Sequence, residues 1–247
     1  MSHVSSIEVH ETLRTPTADG GSVVTLKAER VNPPMPGCLP QPPVLAGYHI
    51  VTDAGQIPAI ADGHLYNYLL AGNGLFLHAQ RRELTVLMRI ASAQVRGLPA
   101  LRSRLRVRFP LVPVHLVREM VRVAADAARD RSGGLEVLLY LTFQDGRWQL
   151  TRPPQEQTLS SVQLAPDADR AAVLEALIDV HSHPFPLRAF SGTDHESDRG
   201  AFRFAVLIAD PAGVPSLHAR LCVYGAFLEV PPSLLFEIPE ELGGTLP

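Results

Sequence analysis

His181-Ser182-His183 ends a strand-like segment that starts at Ile178, and Ser191 and Asp194 follow close behind. No other feature restricts the fold as tightly, because ligand-type side chains so near in sequence converge only if adjacent elements aim them at one point. In an extended strand, residues two apart project from the same face, so His181 and His183 can share a target while Ser182 points away. Ser191 opens a polar stretch three residues before Asp194 and reads as a helix N-cap. Asp194 then falls in the first turn, where the helix dipole favours a carboxylate. His195, Glu196 and Asp198 read as the solvated face of that helix.

Two imidazoles and a carboxylate suit Zn²⁺, and three protein ligands leave the fourth tetrahedral position open, which separates a catalytic zinc from a structural one. Such a site also needs a carboxylate to take a proton from water and pass it to a leaving group. Glu136, in the apolar run Leu135 to Phe143, is the candidate, because a carboxylate inside an apolar strand is costly to bury without a partner. The alternative reading of Glu136 is a strand-edge residue facing solvent, with Glu119 and Glu175 as replacements.

The segment His181-Ser182-His183-Pro184, followed at the same offsets by Ser191 and Asp194, resembles the JAMM (MPN+) zinc metalloprotease motif. That motif reads H-[ST]-H-P-x6-S-x2-D, with a Glu on an earlier strand. Every one of these positions is matched, although the run Glu136-Val137-Leu138-Leu139 lacks the Gly that many members carry three residues after the Glu. The resemblance covers residues 111–247 and implies an α/β (α+β) fold, an αβα sandwich around a curved mixed sheet. It further implies one Zn²⁺ per chain on His181, His183 and Asp194, with Glu136 as general base and acid and Ser191 stabilising the oxyanion. Enzymes of this family hydrolyse peptide or isopeptide bonds after the C-terminal Gly of ubiquitin or ubiquitin-like proteins. A non-catalytic MPN-type protein-binding scaffold and a zinc amidase for small substrates are the rival readings.

At this length, a β-rich leader before a JAMM-like unit is also similar to the PRTRC system protein A family of bacterial gene cassettes, with Val112-Pro113-Val114-His115-Leu116-Val117 as the shared stretch. That family is associated with an E1/ThiF-like protein, a small ubiquitin-like protein and a ParB-related protein. The partners implied are a ubiquitin-like substrate and an E1/ThiF-like protein of the same cassette.

Composition excludes several other classes. A net charge of −3 gives no general attraction to nucleic acid or anionic membranes. No apolar run approaches a membrane span, and the first residues lack the apolar core of a signal peptide, so a soluble, cytoplasmic protein is expected. Cys38 and Cys222 are too few and too far apart for a disulfide framework. No P-loop, dinucleotide fingerprint, CxxC pair or internal repeat competes for the assignment.

Along the chain, residues 1–43 are polar and then Pro-rich and read as an extended lead. Residues 44–110 carry short apolar runs broken by turn residues, the pattern of a small β-rich domain. Within it Arg102, Arg104, Arg106 and Arg108 alternate with less polar residues, which predicts a strand whose basic face is solvated at a sheet edge. Residues 111–247 form the metalloprotease-like domain. It opens with a helix from Val114 to Asp130, followed by a buried strand from Leu135 to Phe143 and a turn at Asp145-Gly146. A helix from Asp167 to Leu177 leads into the histidine strand, and strands at Phe202 to Ala209 and Ser216 to Val223 follow.

Overall fold

The computed structural model describes residues 9–16, 22–28, 46–130 and 134–243. The chain divides into two compact units, Met1–Phe109 with Ala226–Glu229, and Pro110–Gly225 with Val230–Pro247. The fold is mixed α+β, with long sheets and few helices.

The first unit is a seven-stranded sheet in the order β1-β2-β7-β6-β5-β4-β3. Its strands are β1 (Val9–Pro16), β2 (Ser22–Ala28), β3 (Ala46–Ile50), β4 (Tyr66–Ala71), β5 (Gly74–Gln80), β6 (Leu84–Ser92) and β7 (Arg104–Val107). All neighbours are antiparallel except the β3–β4 pair. Leu69, Phe76, Leu84, Val86, Leu105 and Val107 are buried. Part of the lead read as extended thus supplies β1 and β2, while the Pro-rich stretch and Cys38 lie outside the described residues.

The arginine-bearing strand is not at an edge. β7 pairs with β2 on one side and β6 on the other. The alternating pattern arises because Leu105 and Val107 enter the core while the arginines occupy the other face. There the Arg108 guanidinium donates to the Arg82 carbonyl at 3.1 Å. Alternation reports the two faces of a strand and says nothing of its place in the sheet.

The second unit begins with α1 (Val114–Ala128), whose Val117, Met120, Ala124 and Ala125 are buried on one stripe. Next come β8 (Leu138–Gln144) and β9 (Arg147–Thr151). Asp145 and Gly146 both have positive φ, 49° and 74°, which is the two-residue hairpin turn that Asp-Gly favours. A short hairpin that the sequence pattern did not suggest, β10 (Gln155–Gln157) and β11 (Val162–Leu164), follows. The helix expected over Asp167 to Leu177 is confined to α2 (Arg170–Glu175), capped by the Asp169 side chain accepting from the Ala171 N–H at 2.8 Å. Val162, Leu164 and Val173 pack over Leu138 and Tyr140 of β8.

β12 (Ile178–His183), α3 (Gly192–Asp198), β13 (Phe202–Ala209) and β14 (Ser216–Val223) complete the framework. Within this unit the strand order is β14-β13-β12-β8-β9. β12 and β13 are parallel and the other neighbours antiparallel, so the sheet is mixed. β12 sits in the middle, and all six of its residues are buried. Among the described residues no helix is long and apolar enough to cross a membrane.

Candidate metal centre

The sheet register builds one polar face. Asp179 lies opposite Tyr140 and Ala205, His181 opposite Leu138 and Leu207, and His183 opposite Ala209. One strand further, Ala205 pairs with Arg220 and Leu207 with His218. Directly paired residues share a face, so Asp179, His181, His183, His218 and Arg220 all lie on the same side of the sheet.

Ser182 points to the other side and has its own task. Its Oγ accepts from the Val137 N–H at 3.0 Å, and its N–H donates to the Val137 carbonyl at 3.0 Å. These bonds tie the lead-in to β8 against β12 just past the last paired residues. Glu136 therefore precedes β8 rather than lying within it, with its N–H donating to the Thr158 carbonyl at 3.0 Å and its own carbonyl accepting from the Gln157 amide. By strand parity its side chain shares the face of His181 and His183.

Glu136 is 6 % exposed, which excludes the solvent-facing alternative. Burial pushes its carboxyl above the usual carboxylate range, against the pull of His183 and His181, and Asp194 adds to the rise. The two replacement candidates lie elsewhere. Glu119 is paired along α1 with Arg122 at 2.7 Å, and Glu175 is exposed and accepts from the Gln144 amide at 2.7 Å.

α3 brings the carboxylate. Ser191 caps the helix reciprocally with Asp194, the Asp194 N–H donating to Ser191 Oγ at 3.2 Å and the Ser191 N–H donating to Asp194 Oδ2 at 2.6 Å. Asp194 Oδ2 also stands 3.4 Å from His181 Nε2 and 3.6 Å from His183 Nε2. One ligand atom from each of the three residues falls within 4.8 Å of the others. Burial works against ionisation of Asp194, yet the two imidazoles and the Ser191 N–H hold its carboxyl well below the usual carboxylate range.

These residues fit a zinc ion on three grounds. Ligands 2.0–2.1 Å from a tetrahedral ion stand about 3.3–3.4 Å apart, close to the two histidine–carboxylate separations. The buried His181 Nε2 has no hydrogen-bond partner among the described residues, as suits a lone pair meant for a metal. His183 Nδ1 lies 3.2 Å from the Leu187 carbonyl, so Nδ1–H donates there and Nε2 is the nitrogen left to meet an ion, the usual support of a metal-binding imidazole.

Two ion pairs flank the ligands, one fully buried and one partly so. Arg203 meets Asp179 at 2.8 Å, and Arg220 meets Asp198 at 2.7 Å. Burial pushes Asp179 up to about 6 against the pull of Arg203. Asp198, expected on the solvated face of α3, is 4 % exposed and turned into the sheet. The clue in the sequence is Arg220, a charge inside the apolar run Leu217 to Val223, which demands a buried counter-ion. Cys222 is fully buried with its thiol pushed up by burial, an inert position for a nucleophile.

No family model matches the chain, and no curated protein matches it. Among solved structures, it is similar to one described as "JAMM: A Metalloprotease-like Zinc Site in the Proteasome and Signalosome". The two share 17 % sequence identity at a TM-score of 0.34, over 53 % of this chain and 99 % of that one.

Proposed function

We propose that this chain is a zinc-dependent metallopeptidase of the JAMM type that cleaves a peptide or isopeptide bond at the C-terminal tail of a ubiquitin-like protein. The observation that carries this reading is the convergence of His181, His183 and Asp194 on one point beside a buried Glu136. His181 Nε2, His183 Nε2 and an Asp194 carboxylate oxygen would hold the ion. Bound there, zinc supplies a Lewis acid for the scissile carbonyl and lowers the pKa of water toward neutrality.

The protein's own groups do the rest. Glu136, as carboxylate, accepts a proton from the attacking water and returns it to the leaving amine. Ser191 Oγ accepts from the Asp194 N–H and keeps its own O–H to donate to the carbonyl oxygen as negative charge develops. Asp194, fixed by the cap, stays ionised. The wider setting in this proposal is a bacterial ubiquitin-like modification system, with an E1/ThiF-like protein of the same cassette as a partner.

Two measurements test it: zinc per chain in wild type and His183→Ala, and cleavage of a ubiquitin-like protein fused through its C-terminal Gly to a reporter. About one zinc in the wild type, lost in the variant, with release of the reporter, supports the reading. A wild type that takes up no zinc when zinc is supplied leaves a non-catalytic scaffold in its place. Zinc uptake with turnover of small amides alone points to an amidase.

A further inference from the structure

We infer that Arg220 is the positioning residue of the metal centre: from β14, two strands away from β12, it sets both α3, which carries Asp194, and the Phe190 ring that backs His181. The inference rests on the zinc reading of the site.

Arg220 is 2 % exposed, and its guanidinium reaches three residues of the segment that carries the carboxylate ligand. Nη2 donates to Asp198 Oδ2 at 2.7 Å. Nη1 lies 3.3 Å from His195 Nε2, and His195 Nδ1 lies 2.7 Å from the Ser191 carbonyl. The guanidinium carbon sits 3.8 Å from the centroid of the Phe190 ring, a stacked cation–π contact, and that ring lies 5.6 Å from the His181 ring.

The spacing gives these contacts their meaning. Asp194 and Asp198 are four apart on one helix, so they share a face separated by one turn. Anchoring Asp198 to the sheet fixes the rotation of α3 and with it the direction of Asp194. Phe190 directly precedes the Ser191 cap, so stacking on it fixes where the helix starts. A short helix of seven residues, Gly192–Asp198, has little packing of its own to hold this geometry. The planar guanidinium suits the task, since it can hold a carboxylate along one edge and a ring against its face.

Arg220→Met alone strands a buried Asp198 carboxylate and endangers the fold. The informative protein is therefore the double variant Arg220→Met with Asp198→Leu, because exchanging both members of a buried ion pair for apolar groups is commonly neutral or stabilising. Zinc affinity is measured by chelator competition, the visible spectrum after Co²⁺ substitution reports ligand geometry, and a thermal melt of the metal-free protein reports the fold. Positioning by Arg220 predicts an unchanged melt, a roughly 10–100-fold weaker zinc affinity, as for other groups that orient metal ligands, and altered Co²⁺ bands. Arg220→Lys, which keeps the charge on Asp198 but not the stack on Phe190, should recover part of that affinity. A double variant with wild-type affinity and spectrum overturns the inference while the zinc reading stands. A wild type without zinc affinity removes the zinc reading itself, and the inference with it.

Discussion

Ser191 and Asp194 hold each other at both ends, and the Asp194 oxygen that accepts the Ser191 N–H at 2.6 Å is the same oxygen that faces His181 and His183. Helix capping and ligand placement are one interaction here. The cap is local and forms from four consecutive residues, so it fixes Asp194 relative to the start of α3, while contacts from the sheet fix α3 itself.

Ser191 can be probed with two substitutions that separate its roles. Loss of an N-cap hydroxyl costs about 1 kcal/mol as Ala but only a few tenths as Gly. Both remove the hydroxyl proposed to meet the developing oxyanion, a loss of about 100–1,000-fold in kcat. Ser191→Ala and Ser191→Gly should therefore share the kinetic defect and differ in melting temperature. A Gly variant with near wild-type kcat confines Ser191 to capping.

Glu136→Gln keeps shape and burial while removing the base. The expected result is turnover reduced by about 100–10,000-fold with one zinc retained per chain. Glu119→Gln and Glu175→Gln should leave turnover unchanged, since Glu119 is paired with Arg122 and Glu175 with Gln144. Steady-state kinetics on the three variants, with metal analysis on each, assigns the base.

Much of this centre was legible because its rules are local. Strand parity predicted that His181 and His183 face together, the Ser191 cap followed from offset, and Asp145-Gly146 named its own turn. Long-range placement was less legible. The alternation of Arg104, Leu105, Arg106 and Val107 showed two faces but not that β2 and β6 enclose them. Asp198 looked solvated because its counter-ion, Arg220, lies 22 residues away. Ser182 looked idle because its partner, Val137, is 45 residues away. Hydrophobic pattern reports which face of an element is buried, whereas the partners of buried polar groups come from topology.

A pH effect is expected in the first unit. Glu83 is paired with Arg82 at 2.6 Å and Arg81 at 3.2 Å. Burial opposes its ionisation, yet the two arginines hold its carboxyl below the ordinary value of 4.5. A folded-state pKa below the unfolded one contributes stability above the unfolded value, lost as pH falls through the folded value. Wild type should thus melt above Glu83→Gln at pH 7, and the gap should close in acid below the usual Glu range. Equal melts at pH 7 would show that the pair contributes nothing to stability.

Zinc should stabilise the folded chain by mass action. A ligand that binds only the native state adds about 2.7 kcal/mol when present at a hundred times its dissociation constant. Melting the metal-free protein with rising zinc should therefore raise Tm in the wild type and in Glu136→Gln, whose ligands are intact. His181→Ala, His183→Ala and Asp194→Ala should show no such rise, because each removes one of the three atoms that converge within 4.8 Å. A zinc-dependent rise that survives loss of any of the three would place the ion elsewhere in the chain.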